Sequence, residues 1–145
     1  MKATTVHLHI QSQTGKLNLV RDFVAEAARR FGFDEETADK ITLAVDEACT
    51  NIIKHSYENS STKDIDVEVR VNGRAFEIVI SHRGKSFDPD SVKTPDMKEY
   101  FRHFQRGGLG IHLMRSLMDK VEYRTLADQR SEVHLVKYRP AGGRE

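Results

Sequence analysis

Two side chains suited to acid–base and metal chemistry stand one helical turn apart. Glu47 and Asn51 are separated by four positions, and residues at this spacing lie on the same side of a helix. A glutamate can act as a general base toward a water or a hydroxyl, and an asparagine offers a neutral oxygen to a hard cation such as Mg²⁺. His55 follows one further turn along the same line. Taken alone, these residues also fit the solvated edge of an ordinary helix.

A glycine-rich segment precedes another apolar run with helical spacing. It consists of Gly107, Gly108, Leu109 and Gly110, and Arg106 stands directly before it. Glycines let the backbone approach a ligand closely, and the first turn of a helix presents free N–H groups to an anion. Arg106 would add positive charge. A flexible hinge is the plainer interpretation of the same residues.

A third candidate is Gly84. It lies within the run Ser-His-Arg-Gly-Lys-Ser-Phe-Asp-Pro over residues 81–89, directly after an alternating apolar segment. A glycine at such a strand-to-loop turn serves the turn itself more often than a ligand. On its own, Gly84 therefore predicts only the end of a strand.

Hydrophobic periodicity predicts the elements that would position these residues. A first strand is indicated by the alternating apolar residues Val6, Leu8 and Ile10. A first helix, with apolar residues at helical spacing from Leu17 to Phe31, stops at Gly32, and Asp34 has the chemistry of an N-cap for a second helix. That second helix carries Glu47 and has the clearest apolar stripe in the chain, formed by Ala38, Ile41, Ala44, Val45, Ala48, Cys49, Ile52 and Ile53.

A β-hairpin is predicted next. Alternating apolar runs over residues 65–71 and 76–80 flank Asn72-Gly73, a dipeptide typical of tight hairpin turns. Residues 82 to about 106 then break the pattern with glycine, proline and many charged residues. A loop of this length inside a compact domain is usually functional or mobile.

The last part of the chain predicts one helix and two strands. Apolar residues at helical spacing follow Gly110, and alternating runs cover residues 121–126 and 133–138. The element order is therefore β-α-α-β-β-loop-α-β-β. It predicts an α+β fold, a two-layer α/β sandwich with the helices on one face of a mainly antiparallel mixed sheet.

Length and composition indicate one soluble domain. The chain has 145 residues, 23 Lys and Arg against 22 Asp and Glu, and a single cysteine. These counts exclude a disulfide framework, a zinc-site spacing and the basic surface of a nonspecific nucleic-acid binder. No apolar run approaches the ~20 residues that cross a bilayer, and no signal-peptide pattern is present. We expect a cytoplasmic protein without nucleic-acid or membrane partners, with one domain over residues 1–140 and a frayed tail over 141–145.

The three candidate segments together resemble the GHKL ATPases, the family that includes the ATP-binding domains of gyrase, Hsp90 and sensor histidine kinases. The most specific pieces are AVDEACTNIIKHSY, residues 44–57, and GGLGIHLMRSLMDKVEY, residues 107–123. Within that family the chain looks most like the short RsbW-type anti-sigma factors, which are also serine kinases. The resemblance runs from the first strand to Tyr138 and implies the Bergerat, or histidine-kinase-like ATPase, fold.

The resemblance also implies roles for individual residues. Glu47 would be the general base that takes the proton of a protein serine, and Asn51 would hold Mg²⁺. Residues 90–106 would form a lid over ATP. The residues implied to contact the nucleotide are Asn51, His82, Gly84, Arg106, Gly107, Gly108, Leu109, Gly110 and Ser131. Catalysis would then be mostly positioning and charge neutralisation, as phosphoryl transfer requires.

Three positions depart from the family pattern. His82 replaces an aspartate that accepts a hydrogen bond from the adenine amino group, Ser86 replaces a second glycine, and Arg130 stands where a glycine is expected. A neutral imidazole has one acceptor nitrogen, and a protonated one has none. A donor left unsatisfied costs about 1–3 kcal/mol, on the order of a tenfold to hundredfold loss in affinity.

Three functions are therefore compared. The first, favoured by Glu47 and Asn51, is an anti-sigma factor and ATP-dependent serine kinase that sequesters a sigma factor and phosphorylates a STAS-domain antagonist. The resemblance also implies a homodimer. The second, favoured by His82 and Arg130, is a degenerate ATPase-fold module that binds protein partners with weak or no ATP binding. The third, a histidine-kinase fragment, is weaker because no segment with a phospho-accepting histidine precedes the domain.

Overall fold

The computed structural model describes residues 4–58, 60–83, 110–126 and 130–140. The strands are β1 (Thr4–Gln11), β2 (Asp64–Asn72), β3 (Ala75–Arg83), β4 (Lys120–Thr125) and β5 (Arg130–Tyr138). The α-helices are α1 (Leu17–Phe31), α2 (Glu35–Asn51) and α3 (Gly110–Leu117), with a 3₁₀ turn at Thr14–Lys16 and a π-helix at Ile52–Ser56. No helix among these described residues is long and apolar enough to span a bilayer.

The five strands form one sheet in the order β1-β2-β3-β5-β4. All four pairings among them are antiparallel, which confirms the predicted α+β fold with a mainly antiparallel sheet. The apolar side chains of β2, β3 and β5 that alternate toward one face belong to the same core as the buried stripes of α1 and α2. The helices therefore cover that inner face, as the sequence predicted.

The predicted signals at the two helix ends are confirmed. Gly32 follows α1 in the left-handed region, with φ of 109°, a conformation that costs glycine little. Asp34 then caps α2, because its carboxylate accepts a hydrogen bond of 2.8 Å from the N–H of Thr37. The two signals together end one helix and begin the next within three residues.

The core is packed around Phe76 on β3, whose ring lies 5.5 Å, centroid to centroid, from both Phe31 and Phe33. Cys49 on α2 is fully buried in the same core. Burial raises the pKa of its thiol to about 12, because the thiolate would lose its hydration. The cysteine is therefore a packing residue, as its place in the apolar stripe predicted.

Two boundaries of the hairpin differ from the prediction. Asn72 pairs with Ala75, so the two turn residues are Gly73, with φ of 62°, and Arg74. The predicted break at residue 82 is wrong by two residues, since His82 and Arg83 continue β3. The reason is tertiary pairing, because β5 lies beside this end of β3 and supplies hydrogen-bond partners that the sequence pattern does not reveal.

Candidate functional site

Glu47 and Asn51 lie in the last two turns of α2, where both side chains are half-buried. Neither side chain has a hydrogen bond or an ion pair within the described part of the chain. The neighbouring carboxylate differs in this respect, because Asp46 pairs with the Arg21 guanidinium at 2.6 Å. The helix therefore presents a carboxylate and an amide without partners among the described residues, and the two lie one turn apart, as the spacing predicted.

Partial burial raises the pKa of the Glu47 carboxyl, and the negative charge of Asp46 raises it further, while Lys54 acts in the opposite direction. Burial has this effect because it disfavours the charged form. A carboxylate with a raised pKa is a stronger base. Glu47 is therefore a half-buried carboxyl group with a raised pKa and no partner among the described residues.

A π-helix follows α2 directly and was not predicted. It spans Ile52–Ser56, and the N–H of Tyr57 donates to the carbonyl of Ile52 at 2.8 Å, five residues back. Such wide turns are rare and occur often at functional sites. The apolar spacing of Ile52 and Ile53 fits an ordinary α-helix equally well, so no sequence signal distinguishes the two. The turn brings Ser56 and Tyr57 into buried positions.

The Tyr57 hydroxyl joins the ends of β2 and β3. It donates to the carbonyl of Asp64 at 2.5 Å and accepts from the backbone N–H of Arg83 at 3.0 Å. Its ring stands edge-on to the ring of His82, with centroids 5.7 Å apart. Tyr57 thus fixes both the strand ends and one wall around His82, a role that sequence reasoning missed.

His82 and Ser131 form a pair of buried polar side chains on the inner face of the sheet. They are direct partners across β3 and β5, and their exposed fractions are only 5% and 6%. Within the described residues, Nδ1 of His82 and Oγ of Ser131 have no hydrogen-bond partner, and neither does the buried Oγ of Ser56. Buried polar atoms without partners are rare in native proteins and call for an explanation such as a ligand.

Burial lowers the pKa of His82 to about 4, because the imidazolium would lose its hydration at this buried position. The imidazole is therefore neutral at pH 7. In that form one ring nitrogen donates a hydrogen bond and the other accepts one.

The structure places some predicted site residues and leaves others outside the described ranges. Glu47 and Asn51 share the end of α2, and His82 and Ser131 share the inner face of the sheet. Gly110 begins α3, which packs against α2. Gly84, Arg106, Gly107, Gly108 and Leu109 lie outside the described residues, as do the predicted lid at 90–106 and the predicted tail at 141–145.

The free groups fit a nucleotide with Mg²⁺. Magnesium is commonly held by one or two protein oxygens together with substrate phosphates and waters, and the Asn51 amide supplies an oxygen with no partner among the described residues. The unpartnered atoms of His82 and Ser131 suit the polar edge of a base. The described residues contain no group of three or more His, Cys, Asp or Glu side chains that would hold a metal alone.

Comparison with known proteins shows the family to which the chain belongs. Residues 10–137 match the family described as the histidine kinase-like ATPase domain. The chain therefore belongs to that family.

Within this class, the chain is similar to serine-protein kinases named RsbW. It is 30% identical over 122 residues to the one from Halalkalibacterium halodurans, covering 81% of this chain and 74% of the relative. It is 32% identical over 124 residues to the one from Bacillus pumilus, with coverage of 81% and 76%. A solved structure of RsbU and RsbW domains from Mycobacterium tuberculosis has the same fold, with a TM-score of 0.66 at 14% identity, over 93% of this chain and 32% of that longer chain.

Tyr57→Phe is expected to lower the free energy of unfolding by about 1–3 kcal/mol, because it leaves a carbonyl and an N–H at the strand ends without their partner. Chemical denaturation measures the change. Tyr138→Phe is the matched control, since Tyr138 is 40% exposed and its hydroxyl has no hydrogen bond among the described residues. Equal stability of the two variants would contradict the bridging role of Tyr57.

Buried neutral His82 is expected to make stability depend on pH. The unfolded imidazole takes up a proton near pH 6.5 and the folded one only near pH 4, so the unfolded state binds more protons between these values. Stability is therefore full above about pH 6.5 and falls as the pH falls toward 4.

Between pH 7.5 and pH 5, protonation linked to His82 is expected to lower the free energy of unfolding by about 2 kcal/mol. Denaturant unfolding of the native chain and of His82→Asn at both pH values isolates the contribution of His82, because the other histidines are common to both proteins. Parallel losses in the two proteins would show that His82 does not hold a depressed pKa.

Proposed function

We propose that the chain is an ATP-dependent protein serine kinase that also acts as an anti-sigma factor in the cytoplasm. In this proposal it sequesters a bacterial sigma factor and phosphorylates a serine of a STAS-domain antagonist. The observation that carries the proposal is the free Glu47–Asn51 pair at the end of α2. Similarity to the serine-protein kinases named RsbW supports the choice of a protein serine as acceptor.

Glu47 would orient the hydroxyl of the substrate serine and accept its proton as the oxygen attacks the terminal phosphate. The raised pKa of Glu47 favours this transfer, since a more basic carboxylate holds the proton better at the transition state. Asn51, one turn away, would hold Mg²⁺ through its amide oxygen. When bound, the cation neutralises developing charge on the phosphates.

His82 and Ser131 would hold the base of the nucleotide. Their partnerless atoms lie on the same inner face of the sheet, so a base that contacts both would remove two costly unsatisfied groups. Arg83 and Arg130 are also register partners, but their side chains belong to the alternating outer face. They would contribute to partner contact rather than to base recognition.

Glu47→Gln is expected to reduce phosphoryl transfer by a factor on the order of 10²–10⁴, while leaving Mg-ATP binding near the native value. Transfer of labelled phosphate to a purified STAS-domain antagonist measures the first quantity, and calorimetry measures the second. Glu36→Gln is the control, because Glu36 is an exposed carboxylate on the same helix. The acid limb of the native pH–rate profile should lie above the usual range for a glutamate, in line with the raised pKa.

If Glu47→Gln lost both Mg-ATP binding and phosphoryl transfer, the result would contradict the general-base role and indicate a structural role.

A second candidate function, the binding module with weak or no ATP binding, is favoured by the single acceptor that neutral His82 offers. It would be supported if the native chain formed a stable complex with a sigma factor and showed no heat of binding with Mg-ATP.

We further propose a homodimer formed along β1. This strand is an edge of the sheet, and an edge strand has unpaired backbone groups that can pair with another chain. A groove between β1 and α1 lies beside it. Its lining is mostly apolar (Val6, Phe23, Ala27, Phe31, Val69 and Val71), with Thr4, Glu26 and Arg30 as its polar members. A second copy would cover this groove and the exposed Val6 side chain.

Val6→Lys is expected to raise the dimer dissociation constant at least tenfold, because a buried lysine charge would oppose association. Sedimentation equilibrium measures the constant. Leu43→Lys is the matched control, since Val6 and Leu43 are both 42% exposed but Leu43 lies on α2, away from β1. A monomeric native chain, or equal weakening by both substitutions, would overturn the proposed interface.

A further inference from the structure

We propose that the base pocket formed by His82 and Ser131 accepts 6-oxo purines as well as 6-amino purines. Both of its unpartnered polar side chains can either donate or accept a hydrogen bond. The inference rests on the proposed nucleotide-dependent function and specifies which bases that site admits.

The first group that can either donate or accept a hydrogen bond is the ring of His82. Its Nδ1 is buried and has no partner among the described residues, so no contact within that part of the chain fixes whether this nitrogen carries the proton. The ring is neutral at pH 7, since its pKa is about 4. In a neutral imidazole either nitrogen can hold the proton, and a ligand can therefore select the tautomer that suits it.

The second group that can either donate or accept a hydrogen bond is the hydroxyl of Ser131. Its Oγ is also buried without a partner in the described part of the chain. A hydroxyl has one donor and two lone pairs, and it rotates to suit its neighbour. Because Ser131 is the direct cross-strand partner of His82, the β-carbons of the two residues are about 5 Å apart, which suits two adjacent positions of one base.

The edges of the two base classes have opposite polarity. Adenine presents an amino donor at position 6 and an acceptor at N1, whereas hypoxanthine presents an acceptor oxygen at position 6 and an N–H donor at position 1. A pair of groups that each donate or accept can match either arrangement. An ionised carboxylate accepts only, so a pocket with a carboxylate at position 82 would match the 6-amino base and repel the 6-oxo base.

Tyr57 does not fix which nitrogen of His82 carries the proton. Its hydroxyl is already engaged with the backbone of Asp64 and Arg83, and its ring meets His82 edge-on. The contact between the rings restricts the position of the imidazole without setting the proton on Nδ1. The described contacts therefore position the imidazole ring and leave the hydrogen-bond polarity of Nδ1 open.

Calorimetric titration with Mg-ATP and with Mg-ITP at pH 8 tests the inference. ITP carries hypoxanthine, so it changes the polarity at positions 1 and 6 without adding the 2-amino group of guanine. We expect the native chain to bind the two nucleotides with dissociation constants within about tenfold of each other. His82→Asp should bind ATP at least as tightly as the native chain and lose about 10- to 100-fold in ITP affinity.

His82→Asn is the matched control. An amide can turn either its oxygen or its nitrogen toward the base, so this variant should keep the two affinities within about tenfold of each other. Ser131→Ala should weaken both nucleotides by a similar factor, because the same hydroxyl serves both bases. Thermal melting followed by circular dichroism verifies that each variant folds. If His82→Asp does not fold, weaker binding of both nucleotides by Ser131→Ala shows that the base contacts this row, and the native ATP-to-ITP ratio then decides the question.

The possible failures are distinct. Native binding of Mg-ATP with ITP more than about tenfold weaker would overturn the inference and leave the proposed kinase function intact. An ATP-to-ITP ratio unchanged by His82→Asp would also overturn it, because position 82 would then not read the base. Binding of neither nucleotide by the native chain would overturn both the inference and the nucleotide-dependent function.

Discussion

The position of β3 in the middle of the sheet is the constraint on which the site depends. β3 pairs with β2 on one side and with β5 on the other, so both of its edges are hydrogen-bonded along the strand. Those pairings fix His82 between Ile65 and Ser131 in one row across the inner face. Two polar side chains, His82 and Ser131, interrupt the apolar inner face at this row, which lies near the end of β3 and the start of β5.

The π-helix connects this row to the helix layer. Asn51 ends α2, and only five residues separate it from Tyr57, whose hydroxyl is bonded to the ends of β2 and β3. A short segment, the π-helix followed by Tyr57, therefore links Asn51 at the end of α2 to the ring of His82, which Tyr57 contacts. The end of α2 is therefore linked, through the π-helix and the two hydrogen bonds of Tyr57, to the ends of β2 and β3.

Local chemistry explains which parts of the fold were predictable. The cap at Asp34, the stop at Gly32 and the amphipathic spacing of α2 are properties of a few neighbouring residues, and each was confirmed. The extension of β3 to Arg83 and the π-helix were not predictable, because both depend on hydrogen bonds chosen by tertiary packing. For the candidate site, the sequence placed Glu47 and Asn51 one turn apart on α2 and singled out His82 and Ser131, but it gave no sign of their burial or of their pairing across β3 and β5. It missed Tyr57, since an aromatic residue after an apolar stripe predicts packing and not a hydroxyl that bridges two strands.

The buried cysteine has a practical consequence. Cys49 is the single cysteine of the chain, its side chain is fully buried, and its thiolate is strongly disfavoured in the folded state. Since the thiolate is the form that reacts with maleimides and oxidants, the native protein is effectively inert toward them. A fluorophore or spin label attached through one cysteine introduced at an exposed position would therefore report from that position alone, with the native thiol left in place.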